Sequence, residues 1–121
     1  MRDKVNLTEK LASFDEAFQP KTVGYFNEHK LMVARTRGEF VWHSHPDTDD
    51  LFLVLAGRLT IDLRDPDERS VDLGPGDLYV VPRGIPHRPR AADEAQILLI
   101  ERVGTPNTGD ADVTPAPEIE I

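Results

Sequence analysis

The sequence predicts an all-β domain, a sandwich or small barrel, entered through a short helical arm. Two changes of period carry this reading. Before Pro20, the residues Leu7, Leu11, Phe14 and Phe18 recur at i, i+4, i+7 and i+11, a single apolar stripe of helical spacing. From residue 22 onward the period falls to two, and turn signals arrive every 8–12 residues.

Asn6 followed by Glu9 reads as a capping box, and Pro20 ends the helical pattern. Residues 1–20 are therefore expected to form a helical arm over the edge of another element. Strands are expected at 22–26, 30–37, 40–45, 51–56, 58–64, 69–72, 78–82, 87–91 and 95–103. They are separated by Asn27-Glu28, Gly38, Pro46-Asp47, Gly57, Asp65-Pro66-Asp67, Gly74-Pro75-Gly76 and Pro82-Arg83-Gly84, all residues that favour turns. Residues 21–103 make one barrel on this reading. Residues 104–121 form an acidic, proline-containing tail with no basic residue. Its last residues, Glu118-Ile119-Glu120-Ile121, alternate and suit a sheet edge.

The chain of 121 residues is one domain long. It has no cysteine, which excludes disulfides, thiolate metal sites and a cysteine nucleophile. A net charge of −8, from 22 acidic and 14 basic residues, repels phosphate backbones, so nucleic acid is not an expected partner. The longest apolar run, LFLVLA at 51–56, is far below the roughly 20 residues that span a bilayer. The N-terminus lacks the apolar stretch of a secretion signal, and a cytoplasmic location is expected.

Chemistry concentrates in HSHPDTDD, residues 43–50. In a strand, His43 and His45 would share a face, with Cα atoms roughly 6.6 Å apart. Two imidazoles so placed can converge on one ion at about 2.0–2.2 Å. Asp50 has the parity of Phe52 and Val54, and His87 follows the tight turn PRGIP. Three imidazoles and a carboxylate suit a divalent Fe, Mn, Ni or Zn ion and leave two positions open in an octahedral site.

Residues 38–57, GEFVWHSHPDTDDLFLVLAG, and 76–87, GDLYVVPRGIPH, resemble the two signature motifs of the cupin superfamily. Gly38, His43, His45 and Gly57 match the first motif, and Gly76, Pro82, Gly84 and His87 the second. The likeness covers about residues 30–103. It implies a double-stranded β-helix, the jelly-roll barrel, and a metal inside it held by His43, His45, Asp50 and His87. It also implies a homodimer. Short chains of this kind further resemble proteins labelled mannose-6-phosphate isomerase-like, a likeness of fold more than of chemistry. The sequence departs from the pattern in three places. Asp50 stands for the usual glutamate, one residue is missing between Gly38 and His43, and Ala91 stands where an asparagine is common. The shorter Asp50 leaves two ligand sets open, three histidines with the acid or three histidines alone.

Other polar residues have simpler roles. Arg83 in the PRG turn is either an exposed turn residue or a guanidinium at the pocket mouth holding an anionic substrate. His29 is expected in a turn, and Asp47 and Asp49 in the loop, with Asp49 a substitute ligand at most. Trp42 has the parity opposite to His43 and is expected outside the barrel. Leu51, Leu53 and Leu55 face away from Asp50 and need cover, from the arm, a second sheet or a partner chain. The function expected is a metal-dependent pocket for a small molecule. Three readings stay open: isomerase, epimerase or lyase chemistry on a polar metabolite, an Fe(II) dioxygenase, or a non-catalytic binder.

Overall fold

The structure, a computed structural model, describes residues 3–121. One helix, α1 (Leu7–Ala12), precedes β1 (Lys21–Phe26), β2 (His29–Glu39), β3 (Asp50–Ala56), β4 (Leu59–Arg64), β5 (Glu68–Leu73), β6 (Leu78–Val81), β7 (His87–Arg102) and β8 (Ile119–Glu120). The strands form one folded-over sheet in the order β5-β4-β7-β2-β1-β8, with β3 paired to β6 and β7. This is the all-β jelly-roll barrel expected. Among the described residues no helix is long and apolar enough to cross a membrane.

Two strands expected separately, 87–91 and 95–103, are the single strand β7, which runs through both walls of the barrel. Its first part pairs with β4, from Leu63↔His87 to Thr60↔Arg90. Its second part pairs with β3, from Val54↔Ile97 to Leu51↔Ile100. On its other edge β2 follows it from His29↔Arg102 to Glu39↔Arg90. The tight β3–β4 turn needs Gly57, whose φ is +80° and whose added Cβ would stand 2.3 Å from Glu94 O.

The predicted strand 40–45 is not a strand. It is extended, but only one β-bridge forms, His43↔His87. Proline is the physical reason. Phe40 N donates to Pro89 O at 2.9 Å, but Pro89 and Pro86 have no N–H to return, so no ladder propagates. The helix is also shorter than its stripe. Asn6 Oδ1 accepts from Glu9 N at 2.9 Å as expected, and the helix closes at Ser13, whose N–H donates to Lys10 O. Phe14 and Phe18 lie beyond it, and Phe18 has φ +58°.

Period two sorts the apolar side chains. Met32, Ala34, Phe52, Val54, Ile61, Leu63, Ile97 and Leu99 point inward and form the core. Val33, Leu31, Leu55 and Leu98 point outward and pack under Val5, Leu7, Leu11 and Phe14 of the arm and Ile121 of the tail. Burying Leu11 alone contributes about 1.5–3 kcal/mol. Arg35 of β2 locks the arm down, donating to Leu11 O and Phe14 O at the helix end. The final residues find their sheet edge within the chain, where β8 runs parallel to β1. Arm and tail both pack against this one barrel.

On the outer face of β4 and β7, Asp62 accepts from Arg88, Arg90 and Ser70. Burial would raise its pKa, but these donors, Arg90 foremost, outweigh it and hold the group at about 2. The clamp fixes the start of β7, which carries His87. Because the folded pKa is depressed, its contribution is complete above the ordinary carboxylate value of about 3.9 and is lost as pH falls through about 2. Asp62→Asn is expected to lower the melting temperature at pH 6, with the gap to wild type shrinking between pH 4 and 2. A gap independent of pH over that range would refute the ionic role of Asp62.

Candidate metal centre

Three segments distant in sequence meet inside the barrel. His43 and His45 lie between β2 and β3, Asp50 opens β3 and His87 opens β7. All four are buried, none more than 5 % exposed. One ligand atom from each lies within 4.8 Å of all the others. Asp50, despite its shorter side chain, reaches the group: Oδ2 is 3.3 Å from His45 Nε2 and 3.4 Å from His87 Nε2.

Backbone hydrogen bonds assemble this geometry. His43 and His87 exchange both, at 3.0 and 2.8 Å, and Gly84 N donates to His45 O at 2.9 Å. The two motifs are thereby joined directly. The Nδ1 of His43 lies 2.9 Å from Val41 O, and that of His87 lies 2.9 Å from Ile85 O. An N–H on each Nδ1 turns the Nε2 lone pair toward the cluster, as histidine ligands require. Phe40 and Phe52 meet the rings of His43 and His87 edge-on and hold their orientation.

Burial, helped by His87, lowers the His43 pKa to about 4, although the Val41 carbonyl favours the protonated ring. At neutral pH that imidazole is an available ligand. Burial would raise Asp50, but the imidazoles of His45 and His87 outweigh it and keep the carboxylate ionised, with a pKa of about 2. Glu101 of β7 goes the other way. Burial first, then the charge of Asp50, pushes it well above the usual carboxylate range.

The donors fit a cation. His45 Nδ1 and Nε2, Asp50 Oδ1, His87 Nε2 and Glu101 Oε1 are buried without a hydrogen-bond partner. Each such orphan costs about 1–3 kcal/mol. An ion at the centre would satisfy several at once, and imidazole with carboxylate suits a borderline divalent metal.

The cluster opens on a cavity of about 40 Å³, lined mainly by Phe18, Phe40, Phe52, Ala34, Pro89, Ile97 and Leu99, with His43, Asp50, Glu101, Thr36 and Asn107 as its polar residues. Phe18 stacks on Phe40 with ring centroids 5.0 Å apart. Four of these residues escape motif reasoning: Phe18, Phe40, Asn107 and Glu101. Glu101 does carry a signal, since it has the inward parity of Ile97 and Leu99 and directly follows the apolar run 97–100. The structure places Arg83 away from the cavity. It lies in an exterior groove with His29, Leu51, Val80 and Arg102, where its N–H donates to Asp49 Oδ1 at 2.9 Å. Asp49 therefore supports the turn and stands apart from the cluster. Trp42 lies outside as expected, with the Arg64 guanidinium 3.8 Å above its ring.

Such a barrel, with three histidines and an acid converging inside it, is a cupin barrel with a potential metal site. The chain belongs to the cupin domain family, whose model matches residues 30–101. It is 36 % identical over 80 residues to the uncharacterised protein YdbB of Bacillus subtilis, covering 66 % of this chain and 69 % of YdbB. A cupin-2 domain protein from Shewanella frigidimarina is 36 % identical with a TM-score of 0.77, over 81 % of this chain and 93 % of that one. The fold is also shared, at 19 % identity and a TM-score of 0.70, with the hydroquinone 1,2-dioxygenase PnpCD, solved with Cd2+ and 4-hydroxybenzonitrile. That match covers 82 % of this chain and 72 % of the other.

The tail braces the histidine segment. Asp110 accepts from Ser44 N at 2.7 Å and Ser44 Oγ at 2.8 Å, and its own N–H donates to Ser44 O. Gly109 lies against both rings. An added Cβ there would stand 2.3 Å from Ser44 O, 3.0 Å from His43 Cδ2 and 3.1 Å from His45 Nδ1, at a φ of +53°. Gly104 has φ +91° but open space around it. Gly109→Ala is expected to destabilise by about 1–3 kcal/mol from crowding beyond its backbone cost, and Gly104→Ala by the backbone cost of about 1 kcal/mol. Chemical denaturation of both variants checks the order. Equal losses would show that the tail does not press on the histidine pair.

Proposed function

We propose that this protein holds a divalent transition metal, Fe, Mn, Ni or Zn, through His43, His45, Asp50 and His87, and acts on a small, largely apolar molecule in an oxygenase-type reaction. The observation that carries the reading is the set of partnerless buried donors at the floor of an apolar cavity. A bound ion would supply Lewis acidity and a route to dioxygen chemistry. The chain supplies the rest. Phe18 stacks on Phe40 in the cavity wall, and the backbone carbonyls of Val41 and Ile85 fix two of the rings.

Isomerase chemistry on a sugar or other polyol is disfavoured by the lining. Each substrate hydroxyl would need a partner, since a buried hydroxyl without one costs binding. Thr36 Oγ1 already donates to Ala95 O, and Asn107 is engaged by Phe18 O and Ala116 N. The groups with no partner at all are those of the cluster itself. A substrate with one polar handle and a small apolar body satisfies this arrangement.

Metal analysis of protein purified without oxygen, then oxygen uptake with iron(II) and a panel of small phenols, thiols and polyols, tests the reading. Uptake dependent on a phenol or thiol is expected. Turnover of a polyol without oxygen would favour the isomerase, and binding without turnover a non-catalytic binder. In metal titrations, His87→Ala is expected to abolish tight binding, and Asp50→Ala to weaken it by about 10–100-fold. Undiminished binding by His87→Ala would exclude this site.

We also propose a homodimer. The support is the exposed pair Leu78 and Val80 on β6, which sit opposite Leu53 and Leu51 of the outward leucine row. Light scattering is expected to give twice the 13.6 kDa chain mass, and Val80→Lys to halve it. A monomer at all concentrations would rule the assembly out.

A further inference from the structure

Glu101 is the one buried ionisable group at the cluster that the motifs do not supply. It is 3 % exposed, and its Oε1 has no partner. The cation nearest to hand is already used. Lys30 lies opposite Glu101 in the β2–β7 ladder, but its Nζ donates to Thr105 O and Glu118 Oε1, both at 2.8 Å. Glu101 Oε2 instead faces the cluster, 3.6 Å from His45 Nε2. That is a little longer than the 3.3 and 3.4 Å that separate Asp50 from His45 and His87, and Glu101 stands just outside the four residues whose ligand atoms lie within 4.8 Å of one another, so ligation needs a small inward shift of its carboxylate. Ligands at about 2.1 Å from one ion stand roughly 3.0–3.4 Å apart when adjacent and about 4.2 Å apart when opposite.

We propose that Glu101 is a fifth protein ligand, so that the ion is held by three imidazoles and two carboxylates. The inference rests on the metal reading above and deepens it. Asp50 and Glu101, from the paired strands β3 and β7, each bring one carboxylate oxygen toward His45 Nε2. The functional consequence is a single open position in an octahedral site. A substrate would then bind through one oxygen or sulfur atom, not as a two-point chelate.

Cobalt(II) titration of the metal-free protein tests this, with affinity read by chelator competition and geometry by the cobalt absorption bands. Glu101→Gln is expected to weaken affinity by about 10–100-fold and to change band intensity and position. Glu101→Asp keeps the charge but withdraws the oxygen, and it too is expected to lose affinity and change the bands. The gain in melting temperature on adding cobalt follows binding independently, and metal-free melting confirms that each variant folds. Wild-type bands in either variant would overturn the proposal even if affinity fell, because action from outside the coordination sphere would then suffice. Unchanged affinity in Glu101→Gln would overturn it as well. If wild type failed to bind cobalt, or His87→Ala bound it undiminished, the metal reading itself would fall, a result distinct from loss of the fifth ligand alone.

Discussion

Five ionisable side chains sit inside a barrel whose other inward residues are mostly apolar, and that burial is the constraint on which the rest depends. Imidazoles and carboxylates without partners oppose folding. The chain meets that cost by making their positions rigid before any ligand arrives. The reciprocal His43–His87 backbone pair and the Gly84–His45 bond use main-chain groups, so the side chains stay free for other chemistry. Pro86 and Pro89 serve the same end. By ending the ladder, they let residues 40–45 run extended along β7 without becoming an ordinary strand, and both histidines turn inward from it.

Outer layers reinforce the frame from behind. The Asp62–Arg88–Arg90 clamp braces the first turn of β7, one residue beyond His87. The arm covers the opposite wall, where Leu31, Val33, Leu55 and Leu98 would otherwise meet water. These contacts act on strands rather than on the site. They nonetheless determine whether His87 and Asp50, at the first positions of β7 and β3, stay in register.

The barrel and the four-residue cluster were legible in the sequence because both follow from local rules. Alternation places Phe52 and Asp50 on one face and Leu55 on the other, and turn residues mark each reversal. The histidine spacing needed only extended backbone, so it survived the failure of the 40–45 strand. What was not legible depends on contacts distant in the chain. Phe18 belonged to a helical stripe by spacing, yet it sits outside the helix with positive φ and meets Phe40 across the cavity. Arg83 looked close to His87 in sequence, but the turn between them points it to the opposite surface, beside Asp49. Glu101 had the right parity, but nothing local says that an acid at the end of an apolar strand faces Asp50 rather than solvent.

Part of the cavity wall lies outside the family match. Residues 30–101 provide all four cluster residues, and Glu101 is the last residue inside that range. Phe18 comes from the arm before it, and Asn107 from the tail after it. The two segments are tied to each other, with Asn107 Nδ2 donating to Phe18 O at 3.3 Å and Asn107 Oδ1 accepting from Ala116 N. Lys30 holds the tail a second time through Thr105 O and Glu118. The barrel therefore fixes the cluster and most of the cavity wall, and the arm and the tail complete that wall with Phe18 and Asn107.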